Sequence, residues 1–254
     1  MAEVELAPAR WRTWWSRPVG RVLDHIVYRT TVGGRRNVPA YGPLIFAANH
    51  LSYLDGPVMV GAAPRYMHVL VKREMFVGFL GRVLRASGQI PVDRSGDRRA
   101  LLRAMAVLKR GGCVGILPEG KRGSGNAESV NSGVAWLALN SGAAVVPVAI
   151  LGTRITGDHR NKIPAPGRRL QVVFGTPLTI GREPAVSGRV SMDRAAEQIR
   201  LRLAAHVQAA IATTGQQLPA DESPASGERT ISGDDPAHQP STADGDPTEQ
   251  HEGK

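Results

Sequence analysis

Ile45-Phe46-Ala47-Ala48-Asn49-His50-Leu51-Ser52-Tyr53-Leu54-Asp55 is an apolar run that stops abruptly at an Asn-His pair, with an Asp five residues beyond the His. Residues 44–48 have the length and composition of a buried strand, and the polar residues that follow read as a turn before apolar character resumes after Pro57. His50 therefore stands at a strand end. An imidazole with a carboxylate a few residues away is two-thirds of a relay in which the carboxylate holds the ring tautomer and stabilises imidazolium. The third part, a protein nucleophile, has no sequence signature, since no Gly-x-Ser-x-Gly elbow occurs in the chain. If His50 is a base, the proton it removes comes from a substrate hydroxyl.

The same pattern recurs downstream. Residues 90–92 are a short extended piece followed by Asp93-Arg94, and residues 113–117 are an apolar strand whose exit reads Pro118-Glu119-Gly120-Lys121-Arg122. Residues 68–71, 145–151 and 170–174 read as further strands. Between them, residues 56–63, 72–86, 95–110 and 130–140 read as helices, the third with a Ser or Asp cap and a Gly111-Gly112 stop. The 72–86 helix carries Phe76, Phe79, Leu80, Val83 and Leu84 on one side. A final amphipathic helix spans residues 192–214, with Ile199, Leu203, Val207 and Ile211 at i, i+4 spacing. Strand and helix alternate, so the fold class is α/β, a mixed, largely parallel sheet flanked by helices.

In open α/β sheets ligands bind beyond the carboxyl ends of strands. His50 with Asp55, Asp93 with Arg94, and Glu119 with Lys121 and Arg122 are all expected just past such ends. The set contains a base with an orienting carboxylate, cations suited to a phosphate, and a carboxylate, Glu119, able to hold a hydroxyl. That chemistry is transfer to the hydroxyl of a phosphorylated alcohol.

Composition divides the chain. Its net charge of +10 hides an acidic C-terminal stretch: after Leu218 there are nine Asp or Glu against only Arg229 and Lys254. Residues 215–254 are rich in Pro, Ser, Gly, Asp and Glu, and are expected to be a disordered acidic tail. The strongly basic remainder is expected to meet something anionic, although a preponderance of Arg over Lys contributes to its charge. Residues 1–36 hold Trp11, Trp14 and Trp15 interleaved with Arg10, Arg12, Arg17 and Arg21, a mixture that suits a membrane interface. Leu23 to Val27 fit equally well a helix packed on the core. Neither a signal peptide nor an apolar span of transmembrane length is recognisable, so membrane association is expected to be peripheral. Cys113, the single cysteine, lies inside an apolar strand and is read as core rather than nucleophile. No nucleic-acid module is recognisable among the scattered cations.

Four blocks, in order, resemble those of the glycerolipid acyltransferases typified by 1-acylglycerol-3-phosphate acyltransferase. Asn49-His50-Leu51-Ser52-Tyr53-Leu54-Asp55 is similar to the first, with its His, four residues, Asp. Gly88-Gln89-Ile90-Pro91-Val92-Asp93-Arg94 is similar to the second, Leu117-Pro118-Glu119-Gly120-Lys121-Arg122 to the third, and Val146-Pro147-Val148-Ala149-Ile150 to the fourth. The resemblance covers residues 37–176 and implies an acyltransferase domain over 37–214. It implies His50 as base on the acceptor hydroxyl and Asp55 as its orienting partner. It implies Arg94 and Arg122 on the acceptor phosphate, and Glu119 and Gly120 shaping the acceptor pocket, with Lys121 adding phosphate affinity or marking a different acceptor.

The resemblance also implies direct transfer from acyl-CoA or acyl-carrier protein to a lysophospholipid, with no metal and no other cofactor, at the cytoplasmic face of an anionic membrane. Two departures bear on the acceptor. Leu117 and Lys121 stand where the family usually has Phe and Thr, and Val130-Asn131-Ser132-Gly133 replaces a Phe-Lys pair before a Gly. A usual basic contact is lost there, which leaves a glycolipid or aminolipid as the alternative acceptor. Intact His50, Asp55 and Glu119 speak against a silent lipid-binding relative, and the spread of cations against a nucleic-acid binder.

Overall fold

Seven strands form one sheet in a computed structural model that describes residues 7–93, 97–120, 122, 124–127, 129–159, 161–182 and 186–220. In chain order they are β1 (Arg29–Gly33), β2 (Leu44–Ala48), β3 (Met67–Lys72), β4 (Ile90–Val92), β5 (Cys113–Ile116), β6 (Ala144–Leu151) and β7 (Arg169–Phe174). Their order across the sheet is β1-β7-β6-β2-β5-β3-β4. The pairs from β6 to β4 are all parallel, β6 with β7 is antiparallel, and β1 runs parallel to β7. Five strands therefore end on one edge of the sheet, as expected of a mixed, largely parallel α/β fold.

The helices are α1 (Ser16–Val22), α2 (Asp55–Ala62), α3 (Gly78–Ala86), α4 (Arg98–Lys109), α5 (Ser132–Ser141) and α6 (Gly188–Thr214). Asp97 caps α4 by accepting from Ala100 N–H at 3.0 Å, and Gly142 and Gly215 stop α5 and α6 in the left-handed conformation that favours glycine. β2 is buried on both faces, which is why it reads as an unbroken apolar run. Leu44, Phe46 and Ala48 pack with α2 on one face, where Phe46 meets Phe174 edge-on at 5.8 Å. Ile45 and Ala47 pack with α4, α5 and α6 on the other.

Three stretches differ from the sequence expectation. The segment expected to be amphipathic through residue 36 ends in strand β1, whose backbone pairs with β7 along the sheet's edge. Of its residues only Thr30 is buried, so no apolar alternation marks it. The helix expected over 72–86 is broken: a 3-10 turn (Arg73–Met75) and an extended Val77 precede α3, whose apolar Phe79 and Leu80 face outward. The stretch set aside as tail begins with residues that dock on the domain. Leu218 packs against the apolar cluster that includes Leu203 and Val207, and Ala220 N–H donates to Thr156 Oγ1 at 3.0 Å. The acidic residues from 221 onward lie outside the described residues.

Candidate active site

Because β2 lies between β6 and β5, its exit has the exits of those strands as neighbours. Asn49 makes the first connection. Fully buried, its amide accepts from Ile150 N–H at 2.7 Å and donates to Ile150 C=O at 3.0 Å, completing the ladder to β6 where the backbone of β2 turns away. The chain then doubles back into α2, whose first residue is Asp55.

Asp55 is fully buried and its carboxylate is well supplied with donors. Oδ2 accepts from Leu51 N–H at 2.6 Å and Ser52 N–H at 2.7 Å, and lies 2.8 Å from His50 Nδ1. Oδ1 accepts from the hydroxyl of Thr153 at 2.6 Å. Backbone amides from the turn and one side chain from the β6 exit thus hold the carboxylate in a fixed orientation. With Nδ1–H donating to Asp55, the lone pair of His50 is on Nε2, the arrangement of a general base. The His50 side chain remains 17% exposed.

The β5 exit closes the other side. His50 N–H donates to Glu119 Oε1 at 3.2 Å, tying the two neighbouring strand ends together. Gly120 has φ +67°, and a Cβ there would come within 2.5 Å of Asn131 Nδ2, so this turn is built for glycine. Asn131, within the stretch that departs from the family's usual Phe-Lys pair, donates its backbone N–H to Pro118 C=O at 2.9 Å. Arg122 stacks its guanidinium 3.5 Å over the Tyr53 ring and donates to Asn161 Oδ1 at 2.8 Å. A cation is thereby fixed beside the His50–Asp55 turn.

His50, Asp55, Glu119, Gly120 and Arg122 are thus brought to one edge of the sheet. Arg94 and Lys121 lie outside the described residues. At the β4 exit Asp93 is in place, paired with Arg73 at 2.7 Å, and Arg73 also reaches Asp97 at 3.3 Å. Sequence reasoning missed Thr153, Tyr53 and Asn161. Thr153 lies just beyond the fourth block, and no spacing connects it to Asp55 across 98 residues of chain. Arg154, next along, is nearly fully buried at the same strand exit and was not singled out either.

Two other groups are structural. Burial pushes the Cys113 thiol up to about 11, leaving it a poor nucleophile, as its strand position suggested. Burial lowers His68 to about 4, and the neutral ring bridges Gly88 C=O at 2.7 Å and Arg110 Nη2 at 3.0 Å at the opposite sheet edge.

A family model described as Acyltransferase matches residues 29–151. The chloroplastic 1-acyl-sn-glycerol-3-phosphate acyltransferase of Arabidopsis thaliana is 28% identical over 131 residues, covering 50% of this chain and 37% of that protein. The 1-acyl-sn-glycerol-3-phosphate acyltransferase of Bacillus subtilis is 28% identical over 150 residues, covering 58% and 72%. A lyso-ornithine lipid O-acyltransferase of Pseudomonas aeruginosa is 31% identical over 152 residues, covering 58% and 56%. The chain therefore spans little more than a third of its chloroplastic relatives. Among solved structures, the 1-acyl-sn-glycerophosphate acyltransferase PlsC of Thermotoga maritima superposes with a TM-score of 0.58 at 21% identity, over 78% of this chain and 81% of that one, a likeness of fold.

Proposed function

The chain belongs to the glycerolipid acyltransferase family, and on that premise we propose that it moves a fatty acyl group from acyl-CoA or acyl-carrier protein to the free hydroxyl of a lysophospholipid, 1-acylglycerol-3-phosphate foremost, in phospholipid biosynthesis. The observation that carries this reading is the buried Asp55 carboxylate, held by three donors besides the His50 ring that it orients. His50 Nε2 takes the acceptor's hydroxyl proton as that oxygen attacks the thioester carbonyl carbon. The tetrahedral intermediate collapses with cleavage of the C–S bond, and the departing thiolate recovers the proton from the imidazolium. Arg122, stacked on Tyr53, and Arg94, two residues beyond β4 in sequence, hold the acceptor's phosphate, with Lys121 adding to that charge. Glu119 and Gly120 shape the pocket floor between the two strand exits.

The enzyme works as a peripheral protein on the cytoplasmic face of an anionic membrane, a reading supported by its basic body and its exposed Trp11 and Trp14. No helix among the described residues is long and apolar enough to cross a membrane. A second acceptor class, an aminolipid, is supported by the stretch Val130-Asn131-Ser132-Gly133, which lacks the basic residue of the Phe-Lys pair usual in the family, and by one relative named a lyso-ornithine lipid O-acyltransferase. The test is purified protein with acyl-CoA and a panel of lyso-acceptors, phosphorylated and zwitterionic, read as free thiol released. Release with one or more acceptors is expected. Silence across the panel with both acyl-CoA and acyl-carrier protein would remove the reading.

A further inference from the structure

Helix α3 is amphipathic in the wrong sense for a solvated surface. Gly81 is its one buried residue, whereas Phe79 is 76% exposed, Leu80 47%, and Val77, just before the helix, 69%. Val83 and Leu84 are half-buried, so the helix has a partly covered side while its largest side chain faces out. Isolated exposed apolar residues are ordinary, but three within four positions form a patch that water does not favour.

The segment that carries the patch bears one sign of charge. No acidic residue occurs between Glu74 and Asp93, and Arg82 and Arg85 lie within α3 itself. A symmetric contact with a second copy through this face would set these arginines against their counterparts, which disfavours self-association. An anionic lipid surface satisfies both features, taking the apolar tips below the headgroups and leaving the guanidinium groups among the phosphates.

Topology supplies a further reason. The connections β2-α2-β3 and β3-α3-β4 step the same way along the sheet, so right-handed crossovers put α2 and α3 on one face. α1 lies against α2 on that face, where a Cβ on Gly20 would come within 2.7 Å of Gly61 Cα. Arg12 of the Trp-rich turn (Arg10–Thr13) donates to Arg85 C=O at 3.3 Å, so the Trp11 and Trp14 region borders the end of α3. The start of α3 follows the β3 exit, on the edge that carries His50.

We propose that α3, through Val77, Phe79 and Leu80 with Arg82 and Arg85, is a docking element for an anionic bilayer that extends the N-terminal Trp-Arg surface to the edge of the candidate active site. This deepens the peripheral-membrane part of the function proposed above and rests on it. Its consequence is that an acceptor lipid reaches His50 from the plane of the membrane rather than from solution.

The experiment is co-sedimentation of the full chain with phosphatidylcholine vesicles, with and without phosphatidylglycerol. Wild type is expected to bind the anionic vesicles, and Phe79→Ser/Leu80→Ser to lower that partitioning roughly tenfold or more, with an unchanged circular dichroism spectrum. A second variant, Phe79→Cys, carries a polarity-sensitive fluorophore at 79, because buried Cys113 does not compete for the label. Its emission is expected to shift to the blue on adding anionic vesicles. Wild-type protein that ignores these vesicles, a folded double variant that sediments like wild type, or an unshifted probe on bound protein would each overturn the proposal. So would loss of a dimer, rather than of vesicle binding, in the double variant. Turnover of a detergent-dispersed acceptor is measured separately; if it is absent while the vesicle results hold, the acyl-transfer reading fails and the docking element stands.

Discussion

The hydroxyl of Thr153 donates to Asp55 Oδ1 at 2.6 Å, across the boundary between β6 and the start of α2. The other three donors to Asp55 converge on Oδ2, so Thr153 alone among the described residues anchors Oδ1 and with it the rotation of the carboxylate about its axis. Thr153→Val keeps the shape and removes the donor. The expected result is a fall in kcat of about 10- to 100-fold, the worth of one hydrogen bond to a buried charge, with the acceptor KM little changed. Thr153→Ser should restore most of the rate. A KM effect without a kcat effect would assign Thr153 to the pocket instead.

His50→Ala should lower turnover by about 10²–10⁴-fold, the range for loss of a positioned general base. His50 is partly exposed, and its side chain contacts Asp55 without filling the core, so the thermal unfolding midpoint should stay within a few degrees. Retained activity in a folded variant would take His50 out of the mechanism.

Arg122→Ala removes a cation that stacks on Tyr53 and bonds Asn161. For phosphorylated acceptors the KM should rise roughly tenfold, in keeping with a single charge-assisted contact. Zwitterionic acceptors should be affected less. Equal losses for every acceptor would show that Arg122 supports the turn around Tyr53 rather than binding phosphate.

Asp24, in the π-helical turn (Leu23–Val27), is fully buried against Gly61, and neither carboxylate oxygen makes a well-formed hydrogen bond among the described residues. Burial raises its pKa from 3.8 to about 7 against the opposing pull of Arg35 and Thr30. Between those values the folded chain keeps a proton that the unfolded chain releases. The group's contribution to stability is therefore fully present below 3.8, is lost as pH climbs to 7, and stays level above it. Asp24→Asn should match wild type near pH 4 and exceed it at pH 8, by on the order of a few kcal/mol. Urea unfolding at both pH values measures this, and a difference independent of pH would contradict it.

The strands that bury both faces were legible because they are continuous apolar runs, and their exits were legible because charge follows each run at once. β1 was not: its residues pair through the backbone at the rim of the sheet and bury only Thr30, so no side-chain pattern records it. The pattern over 72–86 was legible as amphipathic but not as to direction. Periodicity reports that apolar residues share a side, whereas exposure depends on what the rest of the chain places against that side.

Asn49, His50, Asp55, Glu119 and Arg122 were marked by residue type and by their place at strand ends, and with them the chemistry of a base, its orienting carboxylate and a cation. These are local properties of the chain. That β2 lies between β5 and β6 is not local, for it follows from crossovers that carry the chain over its own strands before pairing. That strand order alone brings Glu119 to the backbone of His50 and Thr153 to the carboxylate of Asp55. A hydrogen bond depends on distance in space, and the separation of two residues along the sequence says nothing of it until the sheet is assembled.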